Sequence, residues 1–117
     1  MPLKDQIRKG STEILILSLL AREQMYGYQI GHEMRQRSGG YFDLKDGLLY
    51  PTLHRMQQER LVKSEWQQVG EARRRKYYAI TDKGRQVLGE QSAEWHAFIA
   101  TLLNLLGSSP GSATSSS

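Results

Sequence analysis

The sequence predicts a mainly α-helical fold that carries one small β-hairpin and ends in a long helix. Three observations support this prediction. Apolar residues recur at helical spacing in three segments of the first half of the chain, two β-rich runs flank Gly70, and a long apolar stripe follows Thr81. A chain of 117 residues suits one domain, which would be marginally stable alone and would gain from oligomerisation.

The first two helices are indicated by their apolar stripes. Residues 4 to 22 carry isoleucines and leucines over a face so wide that we expect neighbours on more than one side. A turn and a second helix follow in MYGYQIGHEMRQRSGG, where Ile30 and Met34 are four residues apart. Gly39 and Gly40 end this helix, because glycine readily adopts the left-handed conformation found after helix ends.

The third helix is predicted within DLKDGLLYPTLHRMQQERL. Asp46 is the predicted N-cap, because its carboxylate can accept hydrogen bonds from the free amides of the first turn. Leu49, Leu53 and Met56 form a buried stripe with the spacing i, i+4 and i+7. The side chains on roughly the opposite face are Tyr50, His54 and Gln57.

The hairpin is predicted from two runs that alternate in polarity. LVKSEWQQV places Val62, Ser64 and Trp66 on one side, and RKYYAIT places Tyr78 and Ile80 on one side. The tip of the hairpin is expected to carry four consecutive cations, Arg73 to Lys76.

This run of cations has two explanations. Charged residues are common at solvated hairpin tips, and that explanation would suffice for one arginine. Four cations in a row repel one another unless an anion joins them, and the planar guanidinium of arginine binds phosphate bidentately and can enter a narrow minor groove. Strand alternation implies that Arg75 and Lys76 point to opposite sides of the sheet, so one of them only flanks the tip.

The last helix is predicted to follow Thr81 as N-cap and to end at about Leu106, with Gly107 as the stop. Roughly 25 residues correspond to about 38 Å of helix. This length overhangs a small domain, so an intermolecular partner is favoured over packing within the chain. The apolar stripe consists of Leu88, Trp95, Ile99, Leu102 and Leu106, widened by Phe98 and Leu105. Residues 108–117 are serine-rich and are predicted to be disordered.

Composition and motifs limit the classes of function that the chain can have. Lys and Arg total 16 against 12 Asp and Glu, and the net charge of +4 favours nucleic acid or an anionic membrane as partner. No apolar run is long enough to span a bilayer and no signal peptide is visible, so a cytoplasmic location is expected. The sequence contains no cysteine, no histidine pair at metal spacing and no glycine-rich phosphate loop. These absences argue against an enzyme, and no metal or cofactor is expected.

Three helices followed by a hairpin is the order of a winged helix-turn-helix. In that architecture the third helix enters the major groove of DNA, and the hairpin, or wing, reaches the flanking backbone or the minor groove. The sequence therefore divides into a winged helix-turn-helix DNA-binding domain at residues 1–80, a C-terminal dimerisation helix at 81–107 and a tail at 108–117.

Two long stretches, DGLLYPTLHRMQQERLVKSEW and RRRKYYAITDKGR, and the earlier YGYQI resemble the PadR family of bacterial transcriptional regulators. The resemblance covers about residues 12 to 106, and the chain length is similar to that of the short subfamily with a single C-terminal helix. The resemblance implies a homodimeric repressor that binds a palindromic DNA operator, with the C-terminal helix as the dimer interface. Family effectors include phenolic acids and lipophilic drugs, which makes a small hydrophobic effector a candidate partner.

The resemblance also implies site residues, and two of them have a second explanation. Tyr50 is either a DNA contact or a core residue with its hydroxyl at the edge. Trp95 either packs in the dimer interface, which is favoured, or stacks on a flat ligand. The implied DNA contacts are Lys45, Tyr50, Thr52, His54, Arg73, Arg74 and Arg75. The implied dimer contacts are Leu88, Trp95, Phe98, Ile99, Leu102 and Leu106, and the implied ligand contacts are Trp95, Phe98 and Ile99.

The chain departs from the family pattern at two positions. Leu48 stands where family members commonly have Ser or Thr, and Arg60 stands where they commonly have Gly. Arg60 therefore either adopts a left-handed conformation at a cost of about 1 kcal/mol or the helix ends differently. Leu48 keeps open an alternative function, namely a dimeric ligand-binding or interaction module that does not bind DNA.

Overall fold

The structure is a computed structural model that describes residues 3–107. The tail at 108–117 lies outside the described residues, and its disorder stays a prediction. Four helices and three strands follow one another as α1 (Leu3–Leu20), β1 (Met25–Tyr26), α2 (Gly27–Arg37), α3 (Asp46–Gln58), β2 (Val62–Gln68), β3 (Arg74–Ile80) and α4 (Asp82–Leu106). The predicted fold class, mainly α with a small hairpin and a long final helix, is confirmed.

The core lies where the first three helices meet the inner face of the sheet. The predicted stripe of α3, Leu49, Leu53 and Met56, is at most 2% exposed. Ile30 and Met34 of α2 are buried beside it, as their spacing predicted. Burial of this apolar surface is the main force that holds the helices together. The remaining members of the core include Ile16, Leu17 and Leu20 of α1 and Val62, Tyr78 and Ile80 of the hairpin.

The sheet has three antiparallel strands in the order β1-β3-β2. Val62 pairs with Ile80 and Ser64 pairs with Tyr78, so the predicted alternation of each strand is confirmed, and the two predicted sides form one face of the hairpin. Strand β1 was not predicted, and it pairs Met25 with Tyr78. Two residues are too few to show a period, and the strand forms only because β3 offers its free edge.

The ends of α3 correct one prediction and decide another. Asp46 is the first residue of the helix, and Lys45 is the N-cap with an extended backbone, so the predicted N-cap is wrong by one residue. At the other end Arg60 has φ +64°, the left-handed conformation at which the family commonly has glycine. The amide of Arg60 donates to the carbonyl of Gln57 and that of Leu61 to the carbonyl of Met56, which closes the helix as a Schellman motif.

The first turn of α4 is joined to the end of α3. The predicted N-cap Thr81 is confirmed, because its Oγ1 accepts a hydrogen bond of 3.0 Å from the amide of Gly84. The same hydroxyl donates to the carbonyl of Arg60 over 2.6 Å. Nζ of Lys83 donates to the carbonyl of Glu59 over 2.9 Å. The dimerisation helix predicted from the sequence therefore starts against the helix predicted to enter DNA.

The second half of α4 extends past this core, and Gly107 follows it with φ +88°, as predicted. Its large apolar side chains are exposed: Phe98 55%, Ile99 46%, Leu102 39%, Leu103 49%, Leu105 81% and Leu106 74%. Among residues 3–107, no helix combines the length and the apolar character that a membrane crossing requires.

Candidate nucleic-acid interface

A cleft of about 460 Å³ lies between the exposed face of α3 and the wing, which consists of β2, β3 and their connecting loop. Side chains from α3, from both wing strands and from the start of α2 meet there, although they are far apart in sequence. The residues that line the cleft are Tyr26, Gly27, Tyr50, His54, Gln57, Trp66, Arg74, Arg75, Lys76 and Tyr78.

The α3 wall of the cleft is the face opposite the buried stripe. Tyr50, His54 and Gln57 are all exposed, as their helical spacing predicted. The side-chain oxygen of Gln57 accepts a hydrogen bond of 2.9 Å from the hydroxyl of Ser64 on β2. This bond joins the α3 wall of the cleft to the wing.

The ring of Tyr50 lies across the beginning of α2. A Cβ placed on Gly27 would lie only 2.5 Å from the Tyr50 hydroxyl oxygen and from a ring carbon. Partial burial, and then the carboxylate of Asp46 one turn away, raise the pKa of the Tyr50 phenol above its usual value. Burial, and then Tyr50, likewise raise the pKa of Tyr78. A phenol is already protonated at neutral pH and the two shifts favour that form further, so the exposed hydroxyl of Tyr50 can donate a hydrogen bond to an anion.

The four consecutive cations do not all lie at the hairpin tip. Only Arg73 belongs to the connecting loop, where its carbonyl accepts a hydrogen bond from the amide of Val69. Strand β3 begins at Arg74, which pairs with Gln68, and Lys76 pairs with Trp66. The expectation of a four-residue cationic tip is wrong for three residues, because strand pairing extends closer to the turn than the alternation of residue types showed.

The three strand cations stack on aromatic rings. The Arg74 guanidinium lies 5.3 Å from the centre of the Trp66 ring, and Nζ of Lys76 lies 5.8 Å from that of Tyr78. On the other side of the strand, the Arg75 guanidinium lies 4.3 Å from the centre of the Tyr26 ring. The predicted alternation of Arg75 and Lys76 is thus confirmed, and the rings restrict where each charge can lie.

No carboxylate neutralises these cations within the part of the chain that the structure describes. Other basic residues do have acidic partners: Arg55 lies 2.6 Å from Glu13, and Arg37 lies 2.9 Å from Glu33. Arg73, Arg74, Arg75 and Lys76 form no such ion pair with any acidic side chain that the structure describes. The wing therefore presents concentrated positive charge beside the protonated phenol of Tyr50, a combination suited to binding a polyanion.

Three predicted DNA contacts lie outside the cleft lining. Lys45 directly precedes α3, Arg73 directly precedes β3, and both are exposed. The Lys45 ammonium is 3.3 Å from the carboxylate of Asp43. Thr52 is only 3% exposed, and its hydroxyl donates to the carbonyl of Leu48. Its side chain offers no surface to DNA in this fold, so Thr52 is left out of the interface. Its spacing already indicated this, since it lies three residues after Leu49 and four before Met56.

Sequence reasoning missed several residues of the cleft. Trp66 was assigned to the hairpin face without a role, and Lys76 was left out of the site although it lines the cleft beside Arg74. Tyr26 and Gly27 carried no usable signal, because only the fold brings the start of α2 against α3. Leu48, which raised doubt about DNA binding, packs against the core, and this packing accounts for its apolar side chain.

A second concave surface of about 430 Å³ lies on α4, against α1. Trp95 and Phe98 meet there edge to face with ring centres 5.9 Å apart. Gly10 of α1 forms part of the lining, with Gln91 and Glu94 of α4. Ile99, predicted with Trp95 and Phe98 as a ligand contact, is not part of this lining.

Residues 16–90 match the Transcriptional regulator PadR-like family. The chain belongs to the PadR-like family. A PadR-like transcriptional regulator from Bacillus cereus strain ATCC 14579 has the same fold with a TM-score of 0.79 and 35% identity, over 89% of this chain and 99% of that chain. Transcriptional regulator Rv3488 of Mycobacterium tuberculosis is 31% identical over 85 residues, which is 73% of this chain and 76% of its own length.

A third similar protein is PadR of Bacillus subtilis, whose structure was solved in complex with operator DNA. It is 26% identical, with a TM-score of 0.63, over 68% of this chain and 44% of that chain. The resemblance to PadR regulators found in the sequence, and the winged-helix fold it implied, are therefore confirmed.

Proposed function

We propose that this chain is a sequence-specific DNA-binding transcriptional regulator that represses transcription by occupying a palindromic operator as a homodimer. The observation that supports this proposal most is the cleft in which the exposed face of α3 meets Arg74, Arg75 and Lys76 of the wing. Arg74 is exposed and Arg75 and Lys76 are half-buried, and none of them has an acidic partner among the described side chains. Such cations next to a helix that can enter a groove suit the backbone and base contacts of a winged helix.

Each side chain of the cleft has a proposed task. Tyr50 and His54 lie on the face of α3 that would enter the major groove, where they would touch base edges or nearby phosphates. Arg74, Arg75 and Lys76 would bind the flanking backbone, with Arg73 and Lys45 as outer contacts. The complex of PadR from Bacillus subtilis with operator DNA supports the choice of duplex DNA as partner.

The exposed apolar half of α4 supports the proposed homodimer. Leu102, Leu105 and Leu106 are 39%, 81% and 74% exposed, and Leu102 lies three and four residues before the other two, so the three leucines form an apolar surface that is unfavourable unless a partner covers it. Pairing through α4 would place two copies of α3 about one helical turn of DNA apart. A small aromatic or lipophilic effector is proposed to bind at Trp95 and Phe98 and to change that spacing.

A regulator of this kind would work in the cytoplasm without a catalytic step. The family to which the chain belongs consists of transcriptional regulators, which supports a binding role rather than an enzymatic one.

The test is fluorescence anisotropy with DNA from the protein's own promoter and with a scrambled duplex of equal length, over a salt series. We expect tighter binding to the promoter and a steep loss of affinity with salt. Arg74→Glu should weaken binding at least about tenfold and make the salt slope shallower by about 1 or more. The matched control is Arg22→Glu, which makes the same charge change in the exposed turn after α1.

Two results would overturn the proposal. If neither duplex binds at low salt, the chain is not a DNA-binding protein, and the groove at Trp95 would favour the ligand-binding alternative. If Arg74→Glu and Arg22→Glu have equal effects, the cleft is not the contact surface.

A further inference from the structure

The contact between Gly27 and Tyr50 differs from the other glycine environments of α2. A Cβ on Gly27 would lie 2.5 Å from both Cε1 and the hydroxyl oxygen of Tyr50, well inside van der Waals contact. A Cβ on Gly31, one turn later, would meet Cδ2 of Leu49 at an ordinary 3.6 Å. Of the two glycines of α2, Gly27 is the one at which an added side chain would collide with a ring from another helix.

The Tyr50 ring is free to rotate away from Gly27 toward solvent. Tyr50 is 42% exposed, and the atoms that approach Gly27 are at the far end of its side chain. Rotation about the side-chain bonds can therefore relieve a clash without moving the backbone of α3. An added methyl group at Gly27 is expected to change the orientation of the phenol more than the fold.

The orientation of the phenol matters because of where the hydroxyl lies. It borders the same cleft as Lys76 and Tyr78. A ring that is already ordered loses less rotational freedom when a ligand binds, which favours affinity. It also presents its hydroxyl in one direction, which favours one sequence over another.

We propose that Gly27 is a positioning residue for DNA recognition: its missing side chain lets the Tyr50 ring lie across the start of α2, and this contact orients the phenol hydroxyl in the cleft before DNA arrives. The proposal rests on the proposed function, because it assigns Tyr50 a contact with DNA. It predicts that Gly27, which has no side chain to touch a base, contributes to sequence discrimination through Tyr50.

The test is a double-mutant cycle on the full chain with Gly27→Ala, Tyr50→Ala and the two combined, and with Gly31→Ala as the matched control. We expect Gly27→Ala to weaken promoter binding about tenfold, close to the effect of Tyr50→Ala, as for the loss of one well-placed contact. Binding to the scrambled duplex should change little. The double variant should bind no more weakly than Tyr50→Ala alone, because the two changes remove the same contact.

A second measurement does not depend on DNA. Ring signals of Tyr50 in a tyrosine-labelled NMR spectrum should shift in Gly27→Ala and stay in place in Gly31→Ala. If the wild-type chain fails to bind its promoter, the proposed function fails, while unchanged ring signals would separately overturn the positioning contact.

Three outcomes would overturn the positioning role. The first is that Gly27→Ala binds the promoter like the wild type, and the second is that its effect adds fully to that of Tyr50→Ala. The third outcome is that Gly27→Ala fails to fold while the double variant folds. In that case the ring cannot turn away, and Gly27 is needed for packing alone.

Discussion

The first turn of α4 and its last two turns belong to one helix, yet their surroundings are opposite. Gly84 in the first turn is buried so closely that a Cβ would lie 2.2 Å from the carbonyl oxygen of Leu61. Leu105 at the other end is 81% exposed. The helix therefore starts packed against the core and ends as a surface that residues 3–107 do not cover.

The difference shows why one apolar stripe can serve two purposes. Near Val87 and Leu88 the stripe packs against the core of its own chain, whereas beyond Phe98 it is available to a partner. The first turn of α4 is hydrogen-bonded to the residues that follow α3. The angle at which α4 pairs in the proposed dimer would therefore also set the position of α3 on DNA. The comparison between the two ends can be tested by changing each in turn.

The largest effect is expected at the buried end. Gly84→Ala forces a methyl group against the Leu61 carbonyl and against Cγ1 of Ile80, which would lie 2.8 Å away. Overpacking against backbone should lower the free energy of unfolding by about 3 kcal/mol, measured by urea denaturation. Gly89→Ala is the control, because nothing lies within 4 Å of its added Cβ. This control should be neutral or stabilising by up to about 1 kcal/mol. If the two variants are equally stable, Gly84 is not packed closely against Leu61, the residue that joins the end of α3 to the first turn of α4.

An intermediate effect is expected at the exposed end. Leu102→Glu places a charge in the proposed interface and should weaken self-association by about 2 kcal/mol or more, measured by sedimentation at several protein concentrations. The helical content of the chain should be unchanged. Val69→Glu is a matched control, since Val69 and Leu102 are both 39% exposed and Val69 lies next to the hairpin loop. A Leu102→Glu chain that associates like the Val69→Glu chain would show that this half of α4 is not the interface.

The smallest effect is expected at Arg60, which follows α3 and whose carbonyl accepts a hydrogen bond from Thr81, the N-cap of α4. Its φ of +64° is strained for a residue with a Cβ but not for glycine, so Arg60→Gly should raise the free energy of unfolding by about 1 kcal/mol. Thermal unfolding measures this change in stability. The control is Glu59→Gly, which should be neutral or destabilising in the same measurement because Glu59 already has an unstrained φ of −80°. A loss of stability in Arg60→Gly would mean that the arginine side chain makes contacts worth more than the strain.

Much of the fold could be predicted because its signals are local. Leu49, Leu53 and Met56 recur with the period of the helix that buries them, so their spacing alone identified the inner face of α3 and therefore its outer face. Thr81 and Gly107 determine the ends of α4 through hydrogen bonding and backbone freedom within a few residues. The left-handed conformation of Arg60 could also be considered from the sequence, because Arg60 stands where the family commonly has glycine and the conformation concerns one residue.

The amino-acid sequence by itself determined the order of the elements, the inner face of each helix, the family and the positive charge of the wing. Only the tertiary structure decided that β1 pairs with β3, that Tyr50 lies on Gly27, and that Trp66 and Lys76 belong to the cleft. The physical reason is distance along the chain. A periodic pattern reports which way a side chain faces within its own element, whereas a contact between elements depends on how those elements pack.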